Sequence, residues 1–366
     1  MNPHSMDEIA EICAKYRLPY PMTVPVRDPS AFMFPMGLQA QDLCQLYGAR
    51  FVFLESPTIN AVALQDTDFQ MVGVHAGMFW MLSRIAARVV RSGAFVNVGR
   101  KPEPVWNPGY GRTSVGPRAL LDDMKPFDWQ AENADIADDP DRTILFLLIL
   151  RTLFFFVVLH EIGHLSNDHG LRRKSGTTRP LMIDGASATK GNNGHGTASH
   201  AREMIADGFA FLATIRLTHQ AATDARKDKV LHDWHQKIMP TNADLTRVVL
   251  LIVDLYFRMT DQFYNSDHQL LDRTHPPAPF RLKGVLATVL ENPPLGTTEA
   301  EIAKILNGIV GLGDAVASIA LDIFPNPDWL TSISTRSFDS HFQAIYSAVP
   351  DWWGKIGSKD AQTGAT

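Results

Sequence analysis

Cysteine is nearly absent: Cys13 and Cys44 are the only two in 366 residues. A disulfide framework and a cysteine-rich zinc site are both excluded, although one bridge between the pair stays open. So few thiols are compatible with a reducing compartment, and a cytoplasmic location is the expectation. A basic surplus is also missing. The formal net charge of −5 offers no electrostatic footprint for nucleic acid. Asp7, Glu8, Glu11 and Lys15 break up the N-terminal residues, so no basic start followed by an apolar run marks a signal peptide. Internal repeats are lacking too. With 45% hydrophobic and 20% charged residues, the chain reads as globular, with room for one large core or two modest ones.

One apolar run is present. Thr143 to Leu159 is interrupted only by Thr143, Arg151 and Thr152. It is slightly shorter than the ~20 residues of a spanning helix, carries a charge near its middle and leads directly into His160-Glu161. A buried core helix is expected in preference to a membrane span. Asp139-Pro140-Asp141 supplies its start, with an acceptor at the cap, proline in the first turn and negative charge at the positive end of the dipole.

Elsewhere, residues 5–16 and 39–47 read as helices on either side of a Pro-rich stretch. Segments 51–54, 59–64 and 69–74 carry strand chemistry, and residues 76–91 have helical spacing. The Gly-, Pro- and Trp-rich span 92–141 reads as an inserted loop or lid, and 166–199 as a second long loop. Helices resume over 198–218, 222–238 and 243–264, followed by a Pro-rich corner at His275–Pro279 and further helices with Trp329, Trp352 and Trp353 as packing anchors. The fold class is α+β, mainly helical, with a small sheet on the N-terminal side. Its organisation is an N-terminal helical and Pro-rich segment (1–50), a central domain (51–290, including 92–141) and a C-terminal helical extension (291–366).

The chemistry concentrates in His160-Glu161-Ile162-Gly163-His164. Residues four apart share a helix face, so both imidazoles can bind one ion. Glu161 is rotated by about 100° and falls beside the ion, where it can take a proton from water. Neutral imidazoles suit Zn²⁺, and catalytic zinc needs three protein ligands and an open position. Thirteen histidines in this length make a chance match uncommon, on the order of a few per cent. A third ligand is available in Arg202-Glu203-Met204-Ile205-Ala206-Asp207. Glu203 can reach the ion, and Asp207, one turn on, can accept a hydrogen bond from a ligand histidine. The alternative, a solvated acidic pair, fits poorly with Phe209–Leu212 following at once, because buried carboxylates need partners. Three ligands satisfy catalytic zinc, so His169, His195 and His200 read as polar surface residues rather than ligands.

These segments resemble the gluzincin metallopeptidases, in particular the group of the HtpX heat-shock protease and the CAAX prenyl endopeptidases. His160 to His169 is similar to that group's active-site helix and Arg202 to Asp207 to its Arg-Glu-x-x-Ala-Asp segment. Asn60-Ala61-Val62-Ala63 is similar to its Asn-Ala-Phe-Ala strand, and Thr274-His275-Pro276 with Arg281 to its Thr-His-Pro-…-Arg segment. The Lit-type phage-exclusion peptidases, soluble zincins with a similar helix, give a second comparison. The resemblance implies a zincin-like fold with one Zn²⁺ on His160, His164 and Glu203, Glu161 as general base and Asp207 as the outer partner of a ligand. It also implies that His275 helps stabilise the oxyanion. Arg281 either holds a carboxylate near the site or orients its corner. A protein or peptide substrate would add as a strand to an edge at 60–64 (Asn60 and Ala61 included) or 69–74. Two rivals remain: a zinc-stabilised helical interaction module, and a latent protease gated by 92–141. The resemblance does not extend to 92–141 or to the region after Leu290.

Overall fold

The computed structural model describes residues 6–23, 32–66, 69–95, 126–171, 181–182, 194–260, 275–321, 326 and 328–354. In chain order they form α1 (Met6–Lys15), α2 (Met33–Leu46), β1 (Arg50–Leu54), β2 (Ala61–Gln65), β3 (Gln70–His75), α3 (Ala76–Arg91), the short α4 (Trp129–Glu132) and α5 (Ala134–Ala137), α6 (Pro140–Ser166), β4 (Leu181–Met182), α7 (Gly194–Asp224), α8 (Lys229–Ile238), α9 (Asn242–Thr260), α10 (Ala278–Glu291), α11 (Glu299–Leu321) and α12 (Arg336–Trp352). The protein is mainly helical with one small sheet, as the sequence leads one to expect. The central residues of the proposed lid, 96–125, lie outside the described residues.

The sheet order is β1-β3-β2-β4. β1 runs parallel to β3, while β2 is antiparallel to both β3 and β4. Strand alternation explains how it is buried on both faces. Phe51, Phe53, Ala61, Ala63, Val72 and Val74 join the main core, whereas Val52, Leu54, Val62, Leu64 and Met71 meet Ile9, Cys13 and Leu18. The N-terminal segment therefore covers the far face of the sheet. Cys13 and Cys44 fall in the two different clusters, and both are free thiols, so the bridge left open by the sequence does not form.

The apolar run became the spine of the core. In α6 the Asp139 carboxylate accepts from the N–H groups of Asp141 and Arg142, and proline occupies the first turn. Phe154 of this helix stacks on Phe53 at 5.8 Å and meets Phe79 edge-on at 5.5 Å. Trp129, from the end of the expected insertion, stacks on Phe146 at 4.1 Å. Among the described residues two helices, α6 and α11, are long and apolar enough to cross a membrane; the apolar window of α6 is 72% buried inside the protein and that of α11 39%.

Three departures have physical reasons. Helix α2 begins at Met33, earlier than expected, because Pro35 sits in its first turn, where the missing N–H has no intrahelical partner to lose. Residues 70–75 form the central β3, which the parallel β1 and the antiparallel β2 flank on either side, so 69–74 cannot be a free edge. Trp353 is 59% exposed and is not an anchor, whereas Trp329 is buried under the Arg258 guanidinium.

Helix α7 packs against α6 at a glycine. A Cβ on Gly163 would lie 3.0 Å from Ala206 Cα and 3.3 Å from its carbonyl oxygen. Backbone of this kind cannot swing aside as a side chain would. Gly163→Ala is expected to destabilise the fold by about 1–3 kcal/mol. In denaturant titrations this would lower the midpoint at an unchanged slope.

Candidate metal centre

Two helices and one helix start converge on the site. Helix α6 brings His160, Glu161 and His164; α7 brings Glu203 and Asp207; the residues leading into α10, and its first turn, bring His275 and Arg281. His160, Glu161, His164, Glu203 and Asp207 are all buried. His160 Nε2 lies 3.2 Å from His164 Nε2 and 3.3 Å from Glu203 Oε2, and His164 Nε2 lies 3.4 Å from Glu203 Oε1. An ion bonded tetrahedrally at about 2.0–2.1 Å sets its ligands roughly 3.3–3.4 Å apart. The donor set therefore fits a metal ion in both chemistry and spacing, and His160, His164 and Glu203 are the residues that could hold it.

His160 is oriented from behind. His160 Nδ1 lies 2.9 Å from Asp207 Oδ1, which leaves Nε2 to face the other donors. Asp207 is gripped in turn by Arg281, with Nε 2.8 Å from Oδ2 and Nη2 2.6 Å from Oδ1. Arg281 thus holds a carboxylate next to the site. His275 Nε2 is 3.4 Å from Glu203 Oε2, and its side chain, 20% exposed, is the most accessible of the three site histidines. The residue before it, Thr274, lies outside the described residues.

Charge follows from these contacts. Burial disfavours the imidazolium of His160, but Asp207 and Glu203 outweigh it and raise the group to about 10. Burial pushes His164 down to about 4. Glu203 and Asp207 stay ionised despite burial, the first through the neighbouring histidines and the second through Arg281. Glu161 behaves differently. Burial raises its carboxyl to about 8, countered in small part by a hydrogen bond with the Ala63 backbone of β2. Its Oε2 has no hydrogen-bond partner among the described residues.

The expected substrate edge lies close by but is altered. Asn60 precedes β2, and its side chain accepts from the Ala61 N–H at 3.0 Å. Ala61 opens the strand, and it is Ala63 that touches Glu161. The outer side of β2 is paired with β4 at Val62 and Ala63.

Sequence reasoning missed His169. Far from being a polar surface residue, it is wholly buried, with Nδ1 2.9 Å from His164 Nδ1 and Nε2 3.1 Å from the Trp352 carbonyl oxygen. The five-residue spacing from His164 was the available signal, but it points off the helical face. His200 also turns away from the donors, pairing with His341 at 2.8 Å. The side chain of His195 lies outside the described residues.

No protein-family model, curated protein or solved structure matches the chain.

Because a metal ion and a proton compete for His160, metal affinity is expected to rise with pH from 6.5 towards about 10. Binding within that range should release about one proton per ion. Calorimetric titrations in buffers of different ionisation enthalpy check this, and an affinity independent of pH across that interval would contradict it.

Proposed function

We propose that the chain is a zinc-dependent endopeptidase with a gluzincin-like fold, its ion held by His160, His164 and Glu203 and its general base Glu161. The convergence of two imidazole nitrogens and a carboxylate at tetrahedral spacing beside the buried acid of Glu161 carries this reading. When bound, Zn²⁺ supplies a Lewis acid that brings the pKa of water to about 7 and polarises the scissile carbonyl.

The side chains supply the rest. Glu161 takes a proton from the attacking water as its oxygen bonds to the peptide carbonyl carbon. It returns that proton to the amine nitrogen as the C–N bond breaks. His275 donates from Nε2 towards the negative charge that develops on the carbonyl oxygen. Arg281 and Asp207 act through His160, keeping its proton on Nδ1 and its Nε2 lone pair directed at the ion. An extended protein or peptide substrate would bind along β2, beside Ala63 and Glu161, in the place that β4 takes here.

The rival reading as a zinc-stabilised interaction module explains the ligands but not Glu161. A purely structural site has no use for an acid buried next to its ligands, as Glu161 is beside the Ala63 backbone. A latent form of the peptidase is favoured by a separate observation. β4 already occupies Val62 and Ala63, the backbone that an incoming strand would use. Gating by 92–141 itself falls largely outside the described residues.

Glu161→Gln is expected to retain zinc and lose roughly 10²–10⁴-fold in turnover of a broad peptide library. Comparing new N-termini in cells expressing the wild type and the variant extends the check to proteins, and undiminished cleavage would remove Glu161 from its role. If β4 restrains the enzyme, replacing Leu181 and Met182 by proline should raise peptide turnover, since proline cannot donate to the ladder. Unchanged turnover in that variant would count against a latent form.

A further inference from the structure

The turn that ends α6 does more than terminate a helix. Asp168 adopts a left-handed backbone conformation, with φ 51°, and its carboxylate accepts from Gln65 Nε2 of β2 at 2.9 Å. This single left-handed residue reverses the chain, and the His169 N–H returns to the His164 carbonyl at 3.1 Å. The His169 ring is thereby brought back against the His164 ring.

The C-terminal extension meets it there. Helix α12 ends at Trp352, whose carbonyl oxygen lies 3.1 Å from His169 Nε2. The Trp352 indole lies under the Arg202 guanidinium, 4.6 Å from its centroid, and Arg202 is the neighbour of Glu203. The Gly354 N–H donates to the Asn167 side chain at 2.8 Å, and His341 of the same helix pairs with His200 of α7. The end of α12 is therefore fixed at several points to the two helices that carry the metal donors.

The hydrogen-bond directions follow from one fact: a carbonyl oxygen can only accept. His169 Nε2 must carry the proton. Among the described residues the ring is wholly buried and touches a histidine and no carboxylate, so it is neutral and its Nδ1 is a bare acceptor. His164 Nδ1 must then be the donor across the 2.9 Å contact, which leaves His164 Nε2 without a proton. That nitrogen is the one lying 3.2 Å from His160 Nε2 and 3.4 Å from Glu203 Oε1.

We infer that His169 is a positioning residue which, anchored by the Trp352 carbonyl at the end of α12, locks His164 in the tautomer that presents Nε2 to the metal. The inference rests on the metal-binding part of the proposed function and is independent of whether peptides are cleaved. It assigns a role to the C-terminal helix, whose last carbonyl supplies the acceptor from which the tautomer is set. His160 and His164 are then oriented by unlike means, one by the Asp207–Arg281 ion pair and the other by a neutral chain ending on backbone.

The test reads metal affinity and tautomer rather than turnover. Zinc competition against a chromogenic chelator is measured on the full chain and on two variants, each with its unfolding midpoint. His169→Leu fills the space but removes the acceptor, and is expected to weaken zinc binding by roughly 10–100-fold. His169→Asn keeps an acceptor oxygen near the position of Nδ1 and should retain most of the affinity. A folded His169→Leu chain that binds zinc like the wild type would overturn the inference, as would equal losses in both variants. Nitrogen-15 correlation spectra of histidine-labelled, metal-free wild type near neutral pH decide the matter should the leucine variant fail to fold. His164 should carry its proton on Nδ1, and a proton on Nε2 would refute the relay. Failure of the wild type to bind zinc would instead sink the metal reading, while the spectra still report on the relay.

Discussion

Burying Glu203 and Asp207 between helices is the constraint to which the other features of this protein answer. An isolated carboxylate cannot remain ionised in such surroundings, so each must be matched by cationic or hydrogen-bonding groups drawn from other parts of the chain. Asp207 is matched by Arg281 and His160, and Glu203 by the imidazolium of His160, 3.3 Å away. These partners come from α6 and from the residues opening α10, so the matching ties together three regions remote in sequence. Breaking such a network by removing one member leaves an uncompensated charge and is more costly than the net worth of any single contact.

Close approach makes the matching possible. Gly163 lets the backbone of α7 come against α6, so that one turn of each helix presents its polar groups to the other across a short gap. Around this centre the two helices pack mainly through apolar residues, from the Phe53–Phe154 stack beneath the sheet to the residues around Phe257. A rigid apolar frame around a small polar centre is what holds donor atoms within tenths of an ångström of a productive arrangement. Glu161 stands apart in this frame. It is the one acid of the centre that burial drives towards the neutral form, because among the described residues no cation faces it as closely as Arg281 faces Asp207.

The chain's own pattern foretold a good deal of this. The capped start of α6, the amphipathic α3 and the alternating strands follow from local chemistry, and each is present. The i, i+4 pair of histidines and the later Glu203 and Asp207 were legible because helical periodicity fixes which side chains share a face. Less legible were the elements whose form depends on what they meet. Residues 70–75 became a central strand only because β1 and β2 flank them, and a strand's place within a sheet leaves no mark on its own alternation.

Local pattern alone marks the groups that could hold an ion, the helices that carry them and the spacing that sets two imidazoles on one face. Packing is what brings Arg281 onto Asp207, His275 towards Glu203, and His169 back under His164 to meet the last carbonyl of α12. The reason is one of range. Helical and strand patterns are set by interactions a few residues long, whereas the partner of a buried polar group is whichever distant segment the packing brings within about 3 Å.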